Sequence, residues 1–193
     1  DQASRSYWQE YHVEVDQYTT VLDTLIKIRE EQDGSLALRC SCKSSICGSC
    51  SMRINGHAGL ACKTNAGKAS IAPGTITIEP MGVMPIIKDL VVDMTPFWNK
   101  IKAVEPFLQP EEPEPQGEYL ASNESMLHLA GVMDCILCGA CVSDCTVLEV
   151  DPNFLGPAAL AKAYRFVADP RDASDNSRLK ELSKYTGIWD CTR

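Results

Sequence analysis

Ten cysteines fall into two tight groups and one outlier: five between Cys40 and Cys62, four between Cys135 and Cys145, and Cys191. Disulfide frameworks spread their cysteines to cross-link distant loops, whereas thiols a few residues apart suit metal ligation. The pattern implies a reducing compartment, with thiols acting as ligands. In the first group Cys42, Cys47, Cys50 and Cys62 have the spacing C-x4-C-x2-C-x11-C. The first three match the run of a plant-type 2Fe–2S site, followed by a more distant fourth ligand. A loop that wraps a cluster needs small residues, and Ser44, Ser45, Gly48 and Ser49 let backbone amides turn inward to the sulfurs. Hydrogen bonds of that kind raise a reduction potential. Cys40 is left over and reads as a buried free thiol.

In the second group Cys135, Cys138, Cys141 and Cys145 form C-x2-C-x2-C-x3-C, the run of two-cluster bacterial ferredoxins. In such runs the fourth cysteine serves the other cluster. Cys135, Cys138 and Cys141 are therefore expected to hold a 4Fe–4S cluster, with Cys145 facing a different one. Gly139 eases the sharp turns between ligands, and Thr146 stands where the run normally has proline. A structural zinc site is the alternative at both groups. Such sites usually pair two C-x2-4-C knuckles, a pattern from which the solitary Cys62 departs. His12, His57 and His128 lie outside the motifs and read as surface or packing residues. Tyr164 and Arg165 read as packing or ion-pair residues on a helix near the second group.

The elements that must position these loops are α+β. Tyr7–Val15 alternates apolar and polar and is expected to form a strand. Thr20 opens a helix, with Asp23 as capping-box partner. Val21, Leu25 and Ile28 line one face, and Asp33-Gly34 ends the pattern. Ser51–Ile54 reads as a strand, Asn55-Gly56 as a hairpin turn, and Thr75–Glu79 as a strand between Pro73-Gly74 and Pro80. The first hundred residues are thus expected to be mostly β. Gln109–Glu118 carries three prolines and four glutamates, the composition of a stiff, solvated linker. Beyond it Ser125–Met133 and Gly156–Val167 read as helices, the latter with Leu160, Ala163, Tyr164 and Val167 on one face and Pro157 in its first turn. The expected domains are residues 1–108, a linker at 109–118, and residues 119–193.

The 193 residues are 45% hydrophobic and 23% charged, a globular composition. Asp and Glu exceed Lys and Arg by 26 to 18, a net charge of -8. That excess argues against nucleic acid or an anionic lipid surface as the main partner. No run approaches the roughly 20 apolar residues of a membrane helix, so membrane contact would go through a partner.

Together the Cys42–Cys62 stretch with Ile46-Cys47-Gly48-Ser49-Cys50, the Cys135–Cys145 run, and Phe154-Leu155-Gly156-Pro157-Ala158-Ala159-Leu160 through Tyr164-Arg165-Phe166 resemble the iron–sulfur subunit of succinate dehydrogenase and fumarate reductase (respiratory complex II). Lys88-Asp89-Leu90-Val91-Val92-Asp93 and Arg171-Asp172 extend the resemblance. It implies an N-terminal β-grasp 2Fe–2S ferredoxin-like domain and a C-terminal all-α helical ferredoxin domain. It also implies an electron path from an FAD flavoprotein subunit through 2Fe–2S, 4Fe–4S and usually 3Fe–4S clusters to a quinone. The dicarboxylate chemistry of the tricarboxylic acid cycle would belong to the flavoprotein. By the same resemblance Cys145 and Cys191 serve the third cluster, 3Fe–4S or a second 4Fe–4S. Two further ligands are placed shortly after Cys191, so the complete protein is expected to continue past Arg193. The implied partners are the flavoprotein, membrane-anchor subunits and a quinone. The implied location is the cytoplasmic face of the cell membrane, or the matrix side of the mitochondrial inner membrane in a eukaryote.

Ubiquinone-using members of the family place Pro-Ser and then a tryptophan after the equivalent of Cys145, and a histidine after that of Cys191. Here Thr146-Val147-Leu148-Glu149-Val150 and Thr192 stand instead. Aliphatic side chains cannot replace an indole donor. The departure points to menaquinone, with Glu149, Thr192 or the anchor holding the head group; a similar pocket rebuilt from neighbouring residues is the alternative. Rival functions are a subunit of another flavin oxidoreductase, a soluble ferredoxin-like carrier, and a zinc-binding interaction module.

Overall fold

The first regular element forms where a threonine and an aspartate satisfy each other's backbone. In the computed structural model, which describes residues 6–71, 74–184 and 186–192, Thr20 caps α1 (Val21–Glu31). Its hydroxyl accepts from the Asp23 amide at 3.1 Å, and the Asp23 carboxylate accepts from the Thr20 amide at 3.1 Å. Val21, Leu22, Leu25 and Ile28 bury the inner face of α1 against Cys50, Met52 and Ile54. Met52 and Ile54 lie on β1 (Ser51–Ile54), which pairs antiparallel with β2 (His57–Leu60). Asn55 and Gly56 both take left-handed backbone, φ 51° and 81°, the turn that matches the twist of a two-residue hairpin. A short helix, α2 (Ala66–Ala69), follows, capped by Asn65. Then β3 (Ile78–Glu79) pairs with the other edge of β1, giving the order β2-β1-β3.

Two expected strands are corrected here. Tyr7–Val15 forms no strand: Tyr7 is 81% exposed and Trp8 71%, and among the described residues no other segment ladders with the stretch. Its alternation puts only Tyr11 and Val13 against the α1 core. Thr75–Glu79 is a strand only over its last two residues, since Thr75 instead makes an isolated bridge to Ile71. The Pro73 part of that turn lies outside the described residues. Much of the first hundred residues is irregular chain and not mostly β.

A second antiparallel pair, β4 (Ile86–Lys88) with β5 (Val91–Val92), leads into α3 (Thr95–Ala103). Past Val92 the regular elements among the described residues are helices. They are α4 (Asn123–Leu127), α5 (Ala140–Ser143), α6 (Thr146–Val150), α7 (Pro157–Val167) and α8 (Asp175–Leu182), then a 3-10 turn at Ile188–Asp190. Ser125–Met133 is corrected in turn. Capped by Ser122, α4 starts at Asn123, two residues ahead of the expected Ser125, and the helix ends at Leu127 as the chain tightens into three-residue turns before Gly131. The stretch 111–118 is exposed and holds no helix or strand.

On α7, Ala158, Ala159 and Ala163 form the buried face, with Leu160 and Val167 at its margin. Tyr164 is 45% exposed and so leaves the face expected for it. Small alanines let α3 and α8 approach closely. The core around them joins Met81, Met84, Val92, Phe97, Ile101 and Val104 to Val142, Leu148, Phe154 and Leu182. Two buried carboxylates fix the far end of α7. Asp169 receives Arg171 at 2.7 and 2.8 Å and Arg165 at 2.5 Å, so Arg165 is an ion-pair residue. The Arg171 guanidinium, with Arg165 adding to it against the opposing effect of burial, holds Asp169 well below the usual carboxylate range. Asp172 pairs with the buried Arg178, whose guanidinium also donates to the carbonyls of Val104, Glu105 and Phe107 after α3.

Candidate metal centres

The β1–β2 hairpin sets the distance between two of the first group's thiols. Cys50 precedes β1 and Cys62 follows β2, and the Ala61 amide donates to the Cys50 carbonyl at 3.1 Å. The other two come from a coil that Lys43, Ser45 and Gly48 wind tightly through left-handed φ values of 54°, 60° and 71°. That winding turns the amides of Ser44, Ile46 and Cys47 onto the Cys42 sulfur at 3.3, 3.4 and 3.3 Å. The Ser49 hydroxyl lies 3.1 Å from the Cys47 sulfur and the Ser45 hydroxyl 3.7 Å from that of Cys62. Donors aimed at sulfur are what a set of thiolate ligands needs around it. The Ser49 hydroxyl, then the surrounding amides, bring the Cys47 thiol down to about 6. Burial pushes the Cys50 thiol up to about 11. At Cys62 burial acts upward, but hydrogen bonds from Cys50 and Ser45 outweigh it and lower the thiol. Cys40 packs partly buried against the α1 core.

Cys135 and Cys138 lie on a loop that runs into α5, whose first turn carries Cys141; left-handed backbone at Leu137 (φ 56°) and Gly139 (φ 82°) turns the chain between them. The three thiols feel one another: burial raises Cys141, and Cys138 and Cys135 push the same way. Gly139 carries the turn that its sequence position suggested. The left-handed Leu137 has no such signal, since leucine rarely adopts that conformation. Cys145 is the N-cap of α6 and partly buried, while Cys191 is exposed after the 3-10 turn. The Leu155 amide donates to the Thr186 carbonyl at 2.9 Å, holding that last segment to the start of α7. His12, His57 and His128 are all exposed, as are Glu149 and Thr192. Among the described residues no three His, Cys, Asp or Glu side chains crowd tightly enough for a single metal ion. Nor is any helix among them long and apolar enough to cross a membrane.

The two cysteine loops touch. A Cβ built on Gly48 would meet both Cα and Cβ of Cys138 at 2.8 Å, so only glycine fits there. Beside this contact Ser143, fully buried, accepts from the Gly82 amide at 2.8 Å. Asp144 accepts from the Ala58 amide at 2.9 Å, with Arg53 3.9 Å away. The sequence marked Gly48 only as a small loop residue and gave no sign of Ser143 or Asp144. Their partners lie some sixty to ninety positions away along the chain.

Comparison with known proteins matches both halves of the chain to iron–sulfur families. Residues 1–99 match the family model of the 2Fe-2S iron-sulfur cluster binding domain, and residues 131–193 that of the 4Fe-4S dicluster domain. The chain is 41% identical over 193 residues to the succinate dehydrogenase (ubiquinone) iron-sulfur subunit 1, mitochondrial, of Oryza sativa subsp. japonica, covering 98% of this chain and 68% of that one. It is 40% identical over 187 residues to the fumarate reductase iron-sulfur subunit of Mycobacterium tuberculosis (strain CDC 1551 / Oshkosh), covering 96% and 75%. A chain of the solved Mycobacterium smegmatis Sdh1 complex in the apo form superimposes with a TM-score of 0.81 at 29% identity, over 89% of this chain and 72% of that one.

Proposed function

This chain belongs to the family of succinate dehydrogenase and fumarate reductase iron–sulfur subunits, and from that premise we propose which of its residues carry the electrons. Its role is electron transfer within an oxidoreductase complex, using 2Fe–2S and 4Fe–4S clusters. Cys42, Cys47, Cys50 and Cys62 hold the 2Fe–2S cluster. Cys135, Cys138 and Cys141 hold the 4Fe–4S cluster, and Cys145 and Cys191 belong to a third, 3Fe–4S or 4Fe–4S. The clusters supply one-electron storage, and the residues around them do the rest. The Ser44, Ile46 and Cys47 amides and the Ser45 and Ser49 hydroxyls neutralise thiolate charge at the first centre. The Gly48–Cys138 contact leaves no side chain between the two ligand loops, so clusters held there would have little protein between them for an electron to cross.

The observation that carries this reading is that contact, which joins two ligand loops distant in sequence. The dicarboxylate chemistry then lies on a flavoprotein subunit, and the chain sits peripherally on a membrane through anchor subunits. With no indole donor in the stretch directly after Cys145, Thr146–Val150, the complex uses menaquinone, and Glu149 or Thr192 helps to hold its head group. In the purified complex, Cys47→Ser is expected to abolish the 2Fe–2S electron paramagnetic resonance signal while Cys40→Ser leaves it intact. Loss of the signal in the Cys40 variant would mean the loop has been read in the wrong register. Turnover with short-chain naphthoquinone and ubiquinone analogues tests the quinone assignment. Naphthoquinone is expected to be reduced efficiently, with a loss in Glu149→Ala or Thr192→Ala; turnover with the ubiquinone analogue alone refutes it.

A further inference from the structure

The residues between Cys141 and Cys145 are all committed to distant parts of the chain. Val142 enters the helical core. Ser143, 0% exposed, accepts the Gly82 amide on its hydroxyl at 2.8 Å, and Gly82 follows shortly after β3. Asp144 accepts the amide of Ala58, on β2, at 2.9 Å. β2 and β3 are the two edges of their sheet, with β1 between them. The end of α5 thus grips the sheet from both sides, and α5 packs on β1 and β2. The seam is tight at Gly82, where a Cβ would meet the Ser143 carbonyl oxygen at 2.7 Å and the Arg53 Nη1 at 3.3 Å. Arg53 also approaches Asp144, with Nε 3.9 Å from the carboxylate, but the two side chains are 30% and 38% exposed. A partly exposed pair at that distance contributes little, whereas an amide donating to a carboxylate is a charge-assisted bond and the stronger tie.

We propose that Ser143 and Asp144 are positioning residues that pin the Cys135–Cys145 run to the sheet and so set the separation of the first two centres. The inference rests on the ligand assignment above. The Asp144 pin falls on the hairpin that Cys50 precedes and Cys62 follows. A cluster follows its ligands, so sliding the end of α5 along the sheet would move the second centre relative to the first. The Gly48–Cys138 contact is a single point, about which α5 could still pivot. Adding Gly82–Ser143 and Ala58–Asp144 makes three points, and three points fix one body on another. Electron transfer and magnetic interaction between two centres both fall steeply with separation, so geometry of this kind needs support from residues that are themselves held.

The test is electron paramagnetic resonance of the purified complex. The microwave power that half-saturates the 2Fe–2S signal is measured with the second centre oxidised and again with it reduced, because a nearby reduced centre speeds relaxation of the first. In the parent that power is expected to rise on reduction. Gly82→Ala forces the seam apart from the sheet side and lies outside both ligand loops, while Asp144→Ala removes the exposed pin. Each is expected to lose most of the rise with both signals still present. Asp144→Asn keeps an acceptor oxygen for the Ala58 amide and is expected to keep the rise. A merely structural role would lower the yield of assembled complex and leave the rise intact in what assembles. If Gly82→Ala fails to assemble, Asp144→Ala decides. A parent-like rise in Asp144→Ala overturns the proposal, as do equal losses in Asp144→Asn and Asp144→Ala, or a parent with both signals and no rise. A parent complex lacking any 4Fe–4S signal overturns the ligand assignment, and the pins with it.

Discussion

Gly48 is the residue on which the two cysteine loops meet, and its φ of 71° and the 2.8 Å approach to Cys138 leave no room for a methyl group. Gly48→Ala is therefore expected to push the loops apart. Rapid-mixing spectroscopy of the complex should show slower reduction of the second centre by the first, with both signals still present; unchanged kinetics would show that electrons do not pass this way. The proposed ligands could be picked out from the sequence alone, because cluster ligation imposes spacing along the chain and spacing is one-dimensional. The inward amides around Cys42 were legible for the same reason, as a consequence of small residues between ligands. The contact at Gly48 was not. It depends on which distant backbone arrives opposite, and glycine alone carries no such address.

At the level of elements, a signal was read correctly where it was local and self-contained. Thr20 and Asp23 satisfy each other within one turn, and Asn55-Gly56 makes its own reversal. Thr20→Ala is expected to cost about 1 kcal/mol by urea unfolding, since the hydroxyl that accepts from the Asp23 amide is lost while the residue-20 amide keeps its bond to the Asp23 carboxylate. A loss near zero would mean that the bridge to Asn65 holds the helix start alone. Alternation in Tyr7–Val15 misled, because period two describes a strand only where a neighbour supplies the ladder. On α7 the apolar stripe was found but turned slightly. The alanines at 158, 159 and 163 are what α3 and α8 press against, and Tyr164 is too large for so close an approach. Arg178 went unnoticed, as a charged residue ordinarily does until buried carbonyls and a carboxylate are found around it.

Across the whole molecule, buried charge ties the helical end together. Asp169→Asn leaves Arg165 and Arg171 without their shared carboxylate and is expected to cost about 3 kcal/mol at pH 7. Because the folded-state value of Asp169 lies below the ordinary one near 3.9, its stabilisation is complete above that ordinary value. It is lost as pH falls through the folded value. The stability gap between parent and variant, from denaturant midpoints, should thus be constant from pH 7 to about 5 and close in stronger acid; a gap independent of pH would assign the effect to shape alone. The Gly48–Cys138 seam has a consequence for descent. A boundary with no side chain on one face has no rotamer to absorb a change, so any shift in one loop's backbone is passed whole to the other. The two loops must be inherited together: a 42–50 loop transplanted from a free-standing one-cluster protein would keep its own ligands and still fail at the seam, unless the 135–141 loop travelled with its matching partner.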